Sequence, residues 1–272
     1  MCGLAGLIIN KNPNRKYEDL SMGINIFENT LINAEERGRH AAGYVITMED
    51  SFLLYKRAIT ASKLIGTKKH NQLMFDIEND VNAIIGHTRY ATKGSPKNNR
   101  NNHPIRCGDI IGTHNGSLWN DDELSYKFDL TTEAEVDSEV LFRLLDKSDS
   151  MDDFVDSKLN YANGKMSVVW TDLKDSSIVY VLKGNKPLEM VLLPHHQMIV
   201  YASKLHYITD HIDVPYEIIN TNKNTLYKIN TNGFNIESYK VNFKSERPYV
   251  KTNYTIPGYV PRYSYKFSWE KE

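Results

Sequence analysis

The chain has 272 residues, with 33 basic against 34 acidic side chains and a formal net charge of -1, so it can bury a sizeable core and offers no global field for nucleic acid. No apolar run approaches the ~18 residues of a membrane span, and the early run Leu4 to Ile9 is followed, not preceded, by basic residues, which excludes a signal-peptide pattern. Cys2 and Cys107 are the whole cysteine complement, which excludes a disulfide framework and points to a reducing, cytoplasmic setting.

The stretch from Cys2 to Asn10, apolar and punctuated by Gly3 and Gly6, reads as a buried strand. Leu20, Ile24, Phe27, Leu31 and Ala34 then recur at helical spacing, predicting a helix from Tyr17 to Arg37 that Gly38 stops. Gly43 to Met48 and Ser51 to Arg57 read as a hairpin, Thr60 to Asp80 as helical or irregular, and Asn82 to Arg89 as a strand. Lys93 to Asn102 has the composition of an exposed loop. A strand from Asp109 to His114 meets an expected turn at Asn115-Gly116, and helices are expected over Asp137 to Leu145 and Met151 to Leu159. Strands follow at 166–171, 178–183, 189–193, 198–202, 216–220, 225–229 and 234–241. With strands outnumbering grouped helices, the layout predicts an α+β design of antiparallel sheets with helices outside. The stretch 244–272, with Pro248, Pro257, Pro261 and many tyrosines, reads as an extended arm.

Several residues carry possible chemistry. Removal of Met1 would leave a thiol and a free α-amine on Cys2, and such an amine accepts a proton near neutral pH far more readily than a lysine does; the alternative is a small buried side chain in a first strand. Arg89, at the end of a strand, could grip a carboxylate through two parallel hydrogen bonds or simply be solvated. Asn115 and Gly116 supply an amide side chain and a flexible backbone donor, the two parts of an oxyanion hole, yet Asn-Gly is also a common hairpin dipeptide. Asp137, just ahead of an apolar helix, could hold a substrate ammonium or act as an N-cap.

In order along the chain, Met1-Cys2-Gly3-Leu4-Ala5-Gly6, Arg37-Gly38 with Gly43, the segment around Arg89, His103-Pro104, His114-Asn115-Gly116 and Asp137-Ser138-Glu139 resemble the motifs of the class II glutamine amidotransferases, the N-terminal nucleophile type. The likeness spans roughly residues 2–205, within an expected domain of 2–243. It implies a four-layer αββα sandwich and hydrolysis of the glutamine side-chain amide to glutamate and ammonia. On this resemblance Cys2 is the nucleophile and its own α-amine the proton relay, with Asn115 and the Gly116 N–H stabilising the oxyanion. Arg89 would hold the glutamine α-carboxylate with support from Thr92, and Asp137 the α-ammonium. His103 falls among the substrate-binding positions, shaping the loops with His87 and His114 and transferring no proton.

The chain departs from the family where Arg39-His40-Ala41-Ala42 follows the arginine-glycine pair, in place of the acidic residue and serine of the sugar-phosphate enzymes, and where Tyr90 replaces tryptophan. Only ~65 residues follow the end of the likeness, too few for a second large catalytic domain, so the expected partner is a separate ammonia-accepting protein. Hydrolysis of another amide and a non-catalytic scaffold are the competing readings. Neither histidine and cysteine spacing nor any glycine-rich loop predicts a metal or nucleotide cofactor.

Overall fold

The computed structural model describes residues 1–246; most of the stretch read as an arm, including all three of its prolines, lies outside the described residues. Strand β1 (Gly3–Ile9) lies at the centre of one sheet, flanked antiparallel by β4 (Val81–Arg89) and β10 (Met198–Ala202). Outward from β4 come β2 (Ala41–Met48) and β3 (Phe52–Arg57), and outward from β10 come β9 (Glu189–Leu193) and β11 (Glu217–Ile219). The second sheet runs β13 (Asn235–Lys240), β12 (Thr225–Asn230), β8 (Asp175–Lys183), β7 (Gly164–Asp172), β6 (Ile110–Leu118), β5 (Ile105–Cys107).

Strand alternation explains why these sheets form a sandwich with helices outside. Successive side chains point to opposite faces, and in β1 both sets are apolar: Ala5, Leu7 and Ile9 pack into a core under the helices, while Leu4 and Ile8 pack into a second core between the sheets. In β7, Met166, Val168 and Trp170 face outward to a third core and Val169 faces inward. Helix α1 (Tyr17–Ala34) covers the first sheet, burying Leu20, Phe27, Leu31 and Ala34 as the spacing predicts. Also in that layer are α2 (Ala61–Ile65), α3 (Lys68–Phe75) and α7 (His206–Thr209). On the second sheet lie α4 (Asp121–Lys127), α5 (Asp137–Asp146) and α6 (Met151–Asp153). The result is the expected α+β, four-layer αββα sandwich.

Four local expectations differ. The first helix ends at Ala34 and tightens into a 3-10 turn, Glu35–Arg37, ahead of Gly38. The helix from Met151 becomes a π turn, Phe154–Lys158, and then a 3-10 turn, Leu159–Tyr161; residues five apart share a face in a π turn, and both Phe154 and Leu159 are buried. Asn115-Gly116 is no turn: β6 runs straight through, pairing Asn115 with Ser167 and Gly116 with Met166, because β7 supplies partners for the entire ladder. The loop 93–102 is largely exposed, but Asn101 and Asn102 are fully buried at its end, where their amides bond the loop to itself.

Candidate active site

Cys2 sits at the mouth of β1, where the chain enters the central strand. Its thiol accepts a hydrogen bond from the Tyr90 N–H at 3.4 Å and donates to the Tyr90 carbonyl at 3.7 Å. The Cys2 carbonyl accepts from Arg37 Nε at 2.8 Å. Burial pushes the thiol pKa up, while the Tyr90 backbone, the terminal amine and Arg89 pull it down and Asp137 adds to the rise. A thiol so placed is protonated at neutral pH and needs a base to become a nucleophile.

The loop after α1 clamps this corner. Gly38 is extended and close to β4: a Cβ there would collide with the backbone of Arg89 and Tyr90. His40 donates its N–H to the Arg89 carbonyl at 3.0 Å, accepts the Ala91 N–H on Nδ1 at 2.9 Å, and stacks on Tyr90 with ring centroids 4.9 Å apart. Within the departure, His40 therefore latches the loop to the strand end that holds the thiol.

Arg89 is buried, and its terminal nitrogens are committed to the loop that follows it. Nη1 donates to Asn102 Oδ1 at 2.8 Å, and Nη2 to the carbonyls of Lys93 at 2.6 Å and Gly94 at 2.9 Å. Thr92 is exposed in the same loop. Asp137 occupies the first turn of α5, where Val136 is the capping residue; in place of an N-cap bond, Asp137 Oδ2 accepts the Leu118 N–H at 2.6 Å, tying the helix start to the end of β6. Arg89, Asp137 and Cys2 act on one another electrostatically, so the fold gathers a cation, a carboxylate and the thiol from three distant segments.

Asn115 lies on β6, which packs against β1 and β4 across the sandwich. Its side-chain Nδ2 is buried and has no acceptor among the described residues. A buried unsatisfied donor costs roughly 1–3 kcal/mol, and such a donor is what a developing oxyanion requires. At Gly116 a Cβ would run into the Lys165 carbonyl and the His114 ring, so glycine is required there by close approach.

His87, His103 and His114 form a buried cluster behind these groups. The rings of His87 and His103 lie 4.2 Å apart, His87 Nε2 bonds the His114 carbonyl at 3.1 Å, and His114 Nδ1 bonds Ser138 Oγ at 2.9 Å. Burial pushes His87 down to about 3, His103 well below its ordinary value, and His114 downward too. All three are uncharged at neutral pH. Among the described residues, no group of three or more His, Cys, Asp or Glu side chains is assembled for a metal ion.

Three contributors carry no local signal. Lys56 donates to the carbonyls of Asn102 at 2.7 Å and Pro104 at 2.8 Å, bracing the segment that holds Arg89. Asn102 is the acceptor for Arg89. Lys186 reaches Met1 Sδ at 3.9 Å from the turn between β8 and β9. Each arrives through tertiary packing, and the Asn-rich composition of the loop hides Asn102 among its neighbours.

Comparison with known proteins gives the same picture. No family model matches the chain. Glutamine–fructose-6-phosphate aminotransferase of Staphylococcus epidermidis is 30% identical over 196 residues, 69% of this chain and 30% of that protein. The 7-cyano-7-deazaguanine synthase of Saccharolobus solfataricus is 25% identical over 234 residues, 84% of this chain and 48% of that one. The chain thus spans less than half the length of these curated relatives. Among solved structures, glutamine phosphoribosylpyrophosphate amidotransferase from B. subtilis, complexed with ADP and GMP, has a TM-score of 0.67 at 19% identity, over 88% of this chain and 49% of that chain. A glutamine aminotransferase class-II domain protein from Silicibacter pomeroyi has a TM-score of 0.50 at 14% identity, over 76% of this chain and 98% of that chain. These likenesses give the chain the αββα fold of solved structures of N-terminal nucleophile type, and its sequence resembles the class II glutamine amidotransferases over about two thirds of its length.

Proposed function

We propose that the chain hydrolyses the side-chain amide of glutamine to glutamate and ammonia through a thioester on Cys2, once Met1 has been removed. In the first half-reaction the thiol proton passes to the Cys2 α-amine and sulfur attacks the amide carbon. The resulting oxyanion takes hydrogen bonds from Asn115 Nδ2 and the Gly116 N–H. The protonated amine then gives its proton to the leaving nitrogen, the C–N bond breaks, and ammonia departs. In the second half-reaction the amine takes a proton from water as hydroxide attacks the thioester; the C–S bond breaks, glutamate leaves and the thiol is restored. Arg89 binds the α-carboxylate and Asp137 the α-ammonium, with Thr92 and His103 completing that end of the pocket. Since the guanidinium holds the carbonyls of Lys93 and Gly94, substrate binding on this reading exchanges one of those bonds for the carboxylate.

The observation that carries the reading is the orphaned amide of Asn115, a buried donor with no acceptor among the described residues, on a strand packed against the one that begins beside Cys2. On this reading the ammonia passes to an acceptor on a synthase partner; the relative named glutamine–fructose-6-phosphate aminotransferase, matched over 30% of its length, is a nitrogen-transferring enzyme by name.

The test is ammonia and glutamate release from glutamine by purified protein shown by intact mass to begin at Cys2. Wild type should turn over and Cys2→Ala should not. A glutamine analogue carrying an electrophile at the amide position should add its mass to the Cys2 peptide. Turnover by protein that keeps Met1 in full would sink the reading.

A further inference from the structure

A cluster of cations beside Cys2 has no part in the scheme above. Arg37 Nη2 and Lys186 Nζ approach the Met1 thioether sulfur from two sides, at 3.7 Å and 3.9 Å. Arg37 is buried and also holds the Cys2 carbonyl, so its position is fixed on the nucleophile's own backbone. Lys186 is held as firmly. Its N–H donates to the Met166 carbonyl at 3.3 Å, and its carbonyl accepts from Ser167 Oγ at 2.8 Å. The preceding Asn185 accepts the Met166 N–H at 3.0 Å, and Gly184 lies so near the Met166 carbonyl that a Cβ would not fit. Met166 and Ser167 are the residues that pair with Gly116 and Asn115. The Lys186 turn is therefore stapled to the back of the oxyanion-hole candidates, and its ammonium is delivered to the amino terminus.

We propose that Lys186 is a positioning residue whose ammonium, together with Arg37, sets the protonation of the α-amine that acts as base on the mature chain. The proposal rests on the reading of Cys2 as an N-terminal nucleophile. A fixed cation near an amine disfavours the amine's own charged form, leaving more of it free to accept the thiol proton at neutral pH. The charged and titratable groups around this amine come from every neighbouring element. They are the Cys2 thiol on its own strand, Arg37 after α1 and Lys186 from the β8–β9 turn; one step further out, Arg89 at the end of β4 and Asp137 on α5 act on the thiol, Lys165 on β7 acts on Lys186, and Lys186 acts on His114 on β6. Of these, Asp137 opposes the cations, and it is bonded to the Leu118 N–H; His114 is uncharged. Arg37 and Lys186 are the two cations that act on the amine itself, against the Cys2 thiol. In agreement, the terminal amine as it stands on Met1 is pushed below its ordinary value by burial, with Arg37 and Lys186 adding to the fall and Cys2 opposing it. Lys186 is itself pushed down by burial and by its neighbours Lys165 and Arg37.

The experiment compares wild type, Lys186→Met and Lys186→Arg, each verified by mass to begin at Cys2. Two profiles are recorded: kcat/KM for ammonia release against pH, and, independently of turnover, the rate of α-amine acetylation by acetic anhydride against pH. Lys186→Met should raise the apparent pKa in both by about 0.5–1 unit, with activity recovering toward wild type at high pH, and Lys186→Arg should restore both profiles. Superimposable acetylation profiles for wild type and Lys186→Met overturn the proposal, as does a uniform loss of activity at every pH. If wild type releases no ammonia, the glutaminase reading fails, and the acetylation profiles still decide the role of Lys186.

Discussion

The Cys2 thiol and the Tyr90 backbone, 88 residues apart in the chain, meet at 3.4 Å and 3.7 Å, so the first turn of the polypeptide is held by the end of β4. Cys2 is half-buried in this seat, and the desolvation of its thiol raises the pKa. In protein that keeps Met1, alkylation of Cys2 by iodoacetamide should be slow at pH 7, and its rate should keep climbing above the range where a free cysteine levels off. Cys107, pushed up to about 12 by burial, should not contribute. A rate that plateaus below pH 8 would contradict the seat described here.

Asn115 separates activity from stability. Replacing it by alanine removes a donor from the proposed oxyanion hole, and loss of one such donor lowers kcat by roughly 10²–10³. The same change deletes a buried unsatisfied amide, which offsets the small cavity it leaves. Denaturant melts of Asn115→Ala should fall within about 1 kcal/mol of wild type or above it. A large fall in both would make Asn115 a structural residue.

If Arg89 holds the glutamine carboxylate as proposed, Asn102 should act on glutamine binding through it. Asn102→Ala removes the acceptor of Arg89 Nη1 and two bonds that shape the loop, from Nδ2 to the Pro96 carbonyl and to Asn99 Oδ1. KM for glutamine should rise about tenfold or more, roughly 1.4 kcal/mol of lost binding, with kcat much less affected. Asn102→Asp keeps the acceptor and should recover most of the affinity. An unchanged KM in Asn102→Ala would detach this loop from the substrate.

Lys56 gives a pH signature to stability. Burial lowers its pKa from 10.5 to about 8, so between these values the unfolded chain holds a proton that the folded chain has released. Raising the pH through this window favours the folded state. The melting temperature of wild type relative to Lys56→Gln should be flat below pH 8 and rise between pH 8 and 10.5. A falling difference would mean that Lys56 is stabilised, not strained, as a cation.

What was legible in the sequence was local. The spacing of Leu20, Phe27, Leu31 and Ala34 marked α1, and short apolar runs marked strands such as β9 and β10, whose bounds match the expected ones. The thiol beside a prospective free amine could be read from Cys2 alone, and the glycines at 38 and 116 stood out as fixed points in motifs. These features depend on neighbours within a few residues, where periodicity and backbone stereochemistry act directly.

Tertiary structure decided the rest. Asn115-Gly116 has the composition of a turn but became mid-strand, because β7, some fifty residues later, supplied its hydrogen bonds. Asp137 bonds the Leu118 N–H instead of capping its own helix, and Arg89, expected to be open to a ligand, is enclosed by the loop that follows it. Lys186 gained its place beside Met1 through Met166 and Ser167. Hydrogen-bond partners and electric fields are set by distance in space, and the pairing of two sheets across a common core fixes those distances without leaving a mark in local composition.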